Sequence, residues 1–345
     1  MLQNNPKLRI AVVGTGYFSQ FHLAAWQRMD DVELVAVCSP DDAQAKHCQQ
    51  QFNIPQRYTH LSTLIEQCDV NLVDLITPPS SHRELILECV KSDKAVICQK
   101  PFCESLRQAE QLVNHISEQD GFVAVHENFR FQPWYQQIKS ILQSGKLGDL
   151  YEIRFTLRPG DGQGPNAYLQ RQPYFQTQKR FLIQETGVHF IDVFRYLFGE
   201  INGLFARLSQ LNPAITGEDA GMVLFEFTNG ARGLLNANRL SDHSADDTRR
   251  TMGEMHIEGS LGTLSLNGNG NIYLRDFGSN EPEQHQFDWL DNGFGGDCVF
   301  NTNRHIADHL LYGKNVHNVA ADYLANRRIE EKVYESARRG QWLSV

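Results

Sequence analysis

Leu8-Arg9-Ile10-Ala11-Val12-Val13-Gly14-Thr15-Gly16-Tyr17-Phe18-Ser19 is the stretch that decides the fold. Its first six residues form an apolar run without alternation, which fits a strand buried on both faces of a parallel sheet. The run ends in a Gly-x-Gly pair and passes into a helical pattern over Phe18 to Met29. Gly14 permits a tight turn there. Gly16 leaves room for a pyrophosphate against the backbone, and the helix N-terminus attracts its charge. The third fingerprint position is Ser19 rather than Gly or Ala. Strand, Gly-x-Gly and helix in this order read as a dinucleotide-binding turn.

The same alternation continues outward. Apolar runs recur at Leu34–Cys38, Leu72–Ile76, Ala95–Cys98 and Phe122–Val125. Helical spacing fills Asp42–Phe52, Ser81–Lys91 and Ser105–Ser117. This predicts a doubly wound α/β domain over residues 1–125. Beyond it, Phe131–Gln143 and Leu182–Phe198 read as helices. Alternating runs at Leu150–Leu157, Leu204–Leu208, Gly221–Phe227, Ala231–Ala237, Thr251–Glu258 and Thr263–Leu266 predict an open, mostly antiparallel sheet. Helical patterns return at Asp297–Leu311 and Ala320–Arg338. Residues 126–345 are expected to form one substrate-binding and oligomerisation domain.

The 345 residues are 41% apolar and 21% charged, with a formal charge of −9, so the chain is globular and a poor partner for nucleic acid or anionic lipid. Met1–Lys7 carries no basic-then-apolar leader pattern, and no run approaches the roughly 18 apolar residues of a membrane span. Seven cysteines without a CxxC pair disfavour structural zinc and fit a reducing, cytoplasmic setting. No histidine shows metal-ligand spacing, so no metal is expected.

Other candidates sit where ligands of open α/β sheets bind, at strand C-termini. Ser39-Pro40-Asp41-Asp42 ends the second strand. Asp41 and Asp42 read either as acids near an adenosine ribose or as helix N-cap residues. No arginine lies between Ser39 and Gln56 to clamp a 2′-phosphate, and the negative local charge favours NAD over NADP. Thr77-Pro78-Pro79-Ser80-Ser81-His82 and Gln99-Lys100-Pro101 end two further strands, and Lys100 there could polarise a hydroxyl or carbonyl. Glu185 and His189 stand at i, i+4 on one helix face, where a carboxylate can orient an imidazole or bind a hydroxyl. The long loop Arg158–Lys179 carries Arg158, Asp161, Tyr168, Arg171 and Tyr174, the mixture of polar groups and aromatic faces that a carbohydrate needs.

In order, these landmarks are GxGxxx, TPPxxH, KP after an apolar strand, N-x-R-F at Asn128–Phe131, and Glu185-Thr186-Gly187-Val188-His189-Phe190-Ile191-Asp192. The sequence resembles the glucose–fructose oxidoreductase, inositol dehydrogenase and rhizopine-catabolism (Gfo/Idh/MocA) family. The resemblance implies a Rossmann domain, a second α/β domain with an open antiparallel sheet, and oxidation or reduction of one carbon of a sugar or polyol with NAD(P). It implies that Lys100 contacts substrate and nicotinamide ribose, and that Glu185 and His189 supply an acid and a histidine. Two residues depart from the family pattern: Gln99 stands for its usual Glu and Glu185 for its usual Asp.

The expected cofactor-binding residues are thus Gly14, Gly16, Tyr17, Phe18, Ser39, Thr77, Pro78, His82, Gln99, Lys100 and Asn128. The expected substrate-binding residues are Lys100, Asn128, Arg158, Asp161, Tyr168, Glu185 and His189. His189 is the expected base and Lys100 the stabiliser of oxyanion charge, while Glu185 holds a neighbouring hydroxyl or steers His189. An NAD-dependent glycosidase of the same fold, or a sensor without turnover, remain alternatives. A homodimer or homotetramer through the antiparallel sheet is expected, because no helical pattern covers its outer face.

Overall fold

A computed structural model describes residues 7–345; most of the Met1–Lys7 segment read above for a leader lies outside the described residues. The chain divides into two compact units. The first runs through Asn128 and includes Val299–Ala325; the second comprises Phe129–Cys298 and Asn326–Val345.

The first unit is a strand–helix alternation: β1 (Leu8–Val13), α1 (Ser19–Gln27), β2 (Val32–Cys38), α2 (Asp42–Gln51), β3 (Gln56–Tyr58), α3 (Leu61–Gln67), β4 (Leu72–Leu75), α4 (Pro79–Lys91), β5 (Ala95–Gln99), α5 (Leu106–Glu118) and β6 (Val123–His126). Its six strands lie in the order β3-β2-β1-β4-β5-β6, all parallel. Helices on both faces bury the central strands, which is why β1, β4 and β5 read as mostly apolar runs, interrupted by Arg9 and Asp74. The order reverses between β1 and β4, the switch point at which such sheets bind ligands. The three-residue edge strand β3 and the short α3 are too brief for a periodic signal, and the sequence reading passes over them.

In the second unit α6 (Pro133–Gln143) leads into β7 (Leu150–Leu157), and α7 (Val188–Phe198) precedes β8 (Ile201–Ser209), β9 (Ala220–Phe227), β10 (Arg232–Asn238), β11 (Gly253–Gly259), β12 (Gly262–Leu266), β13 (Ile272–Asp276) and β14 (Glu283–His285). After α8 (Cys298–Tyr312) and α9 (Ala320–Arg339), the last strand, β15 (Leu343–Ser344), joins the same sheet. The nine strands lie in the order β14-β13-β12-β11-β7-β10-β9-β8-β15, antiparallel except for the parallel β10–β7 pair. Phe155, Phe190, Phe194, Phe225 and Ile257 are in the core between helices and sheet. The opposite face keeps Met222 and Leu224 exposed on β9.

The sequence reading leaves 299–325 in the second domain. In the structure that segment packs with the first unit instead, because Ile306 and Ala307 of α8 join the core of Leu8, Ile10, Val12, Leu72 and Ala124. Burying a side chain the size of Ile306 contributes about 1.5–3 kcal/mol. Arg304 and Tyr312 add hydrogen bonds to Asp31 at 2.6 Å each.

Candidate active site

The Gly14–Ser19 turn is built for close approach. Gly14 has φ +104°, and a Cβ there would lie 2.3 Å from the Ile76 carbonyl oxygen, so only glycine fits. A Cβ on Gly16 would meet nothing within 4 Å. The space over Gly16 is therefore open to a ligand, and a cavity of about 420 Å³ beside it is lined by Thr15, Gly16, Tyr17, Gln44 and His47. Ser19, the departure from the fingerprint, is buried and its hydroxyl donates to the Gly16 carbonyl at 2.7 Å. It stabilises the turn from within. Tyr17 is exposed, whereas Phe18 packs edge-on to His22. These residues fit a dinucleotide pyrophosphate.

Asp41 resolves as the N-cap of α2, accepting from the Ala43 and Gln44 amides at 3.0 and 3.1 Å. Asp42 pairs with Arg57, the residue after Gln56, at 2.9 Å. Ser39 is buried, and its amide donates to the Tyr58 carbonyl.

His82 does not face the turn. It is fully buried, with Nε2 2.8 Å from the Thr77 carbonyl and Nδ1 3.0 Å from the Pro101 carbonyl. Burial pushes its pKa down despite those carbonyls. It ties the loop after β4, with Thr77 and Pro78, to the loop after β5, and any effect on a cofactor passes through them. Lys100 follows β5 half-buried and is joined to Pro101 by a cis peptide; Gln99 beneath it is buried, and Asn128 closes this part of the unit, also buried.

In the second unit the expected long helix changes pitch. Residues Ile183–Gly187 form a π turn and α7 starts only at Val188. Glu185 thus sits in a widened turn, a geometry frequent at functional sites, rather than on the regular α-helix that its spacing suggests. Gln178 donates to Glu185 Oε1 at 2.7 Å. His189 is buried and stacks on Phe129, with centroids 4.0 Å apart and planes 6° apart. Asp192, one turn on, accepts a bidentate pair from Arg130 at 2.6 and 2.7 Å and a further bond from Asn326. The Asn128–Phe131 segment therefore sets the ring plane through Phe129 and clamps the helix through Arg130.

The polar groups of the long loop bond to neighbouring strands and to one another. Arg158 donates to the Leu157 and Asn236 carbonyls and to Asn236 Oδ1, closing the ends of β7 and β10. Asp161 binds Arg239 through both oxygens, at 3.1 and 2.7 Å, and accepts from the Tyr168 hydroxyl. Tyr168 is buried with Phe175, Phe181 and Ile215, and burial raises its pKa, which opposes service as a base. Arg158, Asp161 and Tyr168 thus bind the protein itself. Arg239, absent from the sequence reading, is fully buried and also donates to Thr186 Oγ1 at 2.7 Å, within the π turn. Nothing local marks it, since its partners lie 53 to 78 residues away.

Among the described residues no group of three His, Cys, Asp or Glu side chains is arranged to hold a metal ion, and no helix is long and apolar enough to cross a membrane. All seven cysteines are buried, and none forms a disulfide.

Residues 8–127 match the sequence profile described as "Oxidoreductase family, NAD-binding Rossmann fold", and residues 135–265 match that of the "GFO/IDH/MocA C-terminal domain". The chain belongs to the Gfo/Idh/MocA family of oxidoreductases. A D-apiose dehydrogenase of Rhizobium rhizogenes is 29% identical over 349 residues, covering 99% of each chain. Another, of Paraburkholderia graminis, is 29% identical across 97% of this chain and 89% of its own length. An oxidoreductase from Agrobacterium radiobacter, solved in complex with NAD+, L-tartaric acid and magnesium, superposes with a TM-score of 0.89 at 28% identity over 98% of each chain. Within the family frame, the features read late are Phe129, Arg239 and the buried Asp74. Asp74 alone had a local signal: an acid inside the apolar strand Leu72–Leu75 requires a buried partner.

Proposed function

We propose that the chain is an NAD-dependent dehydrogenase that transfers a hydride between nicotinamide and one carbinol carbon of a small sugar, polyol or close derivative. The observation that carries this reading is the end-to-end likeness to two D-apiose dehydrogenases in a chain that carries the Gly14–Gly16 turn, Lys100, Glu185 and His189. A branched pentose is accordingly the first substrate to test. Gly14 and Gly16 hold the pyrophosphate, with Tyr17, Phe18, Ser39, Thr77, Pro78 and Asn128 as further cofactor-binding residues. When bound, the nicotinamide supplies the hydride acceptor. His189, its ring plane fixed by Phe129, takes the hydroxyl proton. Lys100 stabilises the negative charge that develops on that oxygen. Glu185, steadied by Gln178, holds a neighbouring hydroxyl. Preference for NAD is supported by the negative local charge of Asp41 and Asp42 and by the pairing of Arg57 with Asp42.

An outward row of Phe205, Leu224 and Leu234, in register across β8, β9 and β10, supports a homodimer or homotetramer through that sheet. Light scattering at micromolar concentration that returned a monomer would remove it.

The functional test follows NADH absorbance with NAD and a panel of pentoses, hexoses and inositols. Net NADH formation identifies the dehydrogenase; glycoside cleavage without net NADH identifies the glycosidase; binding without either identifies a sensor. Gly16→Val should abolish dinucleotide binding by calorimetry, because the added methyls fill the space now open above the turn.

A further inference from the structure

A file of buried side chains crosses the first unit directly behind Lys100. Asp74 of β4, His22 of α1, Gln99 of β5, His126 at the end of β6 and Asn303 of α8 are each at most 9% exposed. Asp74 Oδ2 lies 2.8 Å from His22 Nδ1 and also accepts from the Trp26 indole at 2.8 Å. Gln99 Nε2 lies 2.8 Å from His22 Nε2 and 3.2 Å from His126 Nδ1. His126 Nε2 lies 3.0 Å from Asn303 Oδ1.

One backbone group fixes every proton in this file. The Lys100 amide donates to Gln99 Oε1 at 3.2 Å, so the carboxamide oxygen faces Lys100 and its NH₂ faces the two rings. An NH₂ only donates. His22 Nε2 and His126 Nδ1 are therefore acceptors. The opposite nitrogens carry the protons: His22 Nδ1–H donates to Asp74, and His126 Nε2–H donates to Asn303. Both rings are neutral, in opposite tautomers, and each contact has one donor and one acceptor.

A carboxylate at position 99 cannot occupy this place as it stands. It only accepts, and would set its lone pairs against that of His22 Nε2. The file would close only by taking up a further proton, with His22 charged between two carboxylates. The other ionisable groups carried by these strand ends are Cys98, whose thiol is held protonated by complete burial, and the buried Glu127. The match between Gln99 and these tautomers gives a role to the residue that departs from the family pattern.

We infer that Gln99 is a positioning residue for Lys100, anchoring its backbone at the end of β5 through a network whose two imidazoles stay neutral, so that the placement does not change with pH across the histidine range. The inference rests on the role of Lys100 proposed above. Its test compares the wild-type chain with Gln99→Glu and Gln99→Met, in steady-state kinetics from about pH 6 to about pH 9, the range where histidine-coupled protons move. Relative to wild type, Gln99→Glu should lose at least tenfold in kcat as pH rises and the extra proton leaves. Gln99→Met, which neither titrates nor bonds, should lower kcat by the same factor at every pH. Identical pH profiles for the two variants would overturn the positioning role, since loss of packing alone would affect both alike. Nitrogen-15 histidine spectra of the wild-type protein should show an Nδ1–H ring at His22 and an Nε2–H ring at His126, and a doubly protonated His22 would overturn the network whether or not Gln99→Glu folds. Lys100→Met with undiminished kcat would instead remove Lys100 from the reaction and leave the tautomer assignment standing.

Discussion

The two units secure their functional side chains by opposite electrostatic means. In the first, the buried file behind Lys100 holds one carboxylate, Asp74, and otherwise neutral amides, imidazoles and an indole. In the second, the π turn carrying Glu185 and the helix carrying His189 are clamped by two charge pairs, the buried Arg130–Asp192 and the partly buried Arg239–Asp161. A neutral network keeps most of its satisfaction when one member is shortened. A buried ion pair deprived of one partner leaves an uncompensated charge in a poor solvent. The second unit should therefore be the brittle one, and its brittleness lies where the fold leaves regular α-helix.

Most severe should be loss of the group these clamps hold. His189→Ala is expected to reduce kcat by about 10²–10⁴-fold with NADH binding unchanged. Retention of more than about a tenth of wild-type kcat would remove His189 as the base.

Next comes the clamp itself. Arg130→Met leaves Asp192 buried without its guanidinium and should cost about 3–5 kcal/mol in denaturant unfolding. Arg130→Met combined with Asp192→Leu should recover much of that loss. A double variant as unstable as the single one would show that packing, not charge, dominates there, and the contrast between units would fail.

Smaller again is Phe129→Leu. It removes a parallel stack against His189 and should cost about 0.5–1.5 kcal/mol beyond lost area. Its sharper readout is a fall in kcat at unchanged substrate KM, since the ring plane alone is released.

Least is the surface pair that ties α8 to the first unit. Partial burial works to raise the Asp31 carboxyl, but the Arg304 guanidinium and the Tyr312 hydroxyl outweigh it, and its pKa lies below the ordinary value. A depressed folded-state value stabilises above the unfolded one, near about 3.9, and that contribution vanishes as pH falls through the native value. Asp31→Asn should cost about 0.2–1 kcal/mol at neutral pH and nothing in strong acid. An unchanged difference at both would assign the effect to hydrogen bonding alone.

What could be read from the sequence followed the range of the interactions involved. The β1 run, the Gly14–Gly16 turn and the alternating strands of the large sheet are local patterns, and residues a few positions apart specify them. Lys100, Glu185 and His189 came from their neighbours in the chain and from family resemblance. The π turn did not, because the same apolar spacing supports an α-helix, and the departure depends on contacts such as Arg239–Thr186 across 53 residues. Asp161 and Tyr168 look like ligand-binding groups in a loop until Arg239 is placed beside them. The pairing of α8 with β1 is likewise invisible to periodicity, which reports that a face is apolar and not what covers it.

That pairing has a consequence for biosynthesis. The first unit is encoded in two pieces separated by residues 129–298, and its β1–β4 core is covered in part by Ile306 and Ala307. During translation the nascent Rossmann sheet therefore waits, with one apolar face incomplete, until the whole intervening segment has left the ribosome. A fragment stopped at residue 128 should bind chaperones and aggregate, and adding a peptide spanning 299–325 in trans should restore its solubility. Closing so long a loop also makes this the late step of folding.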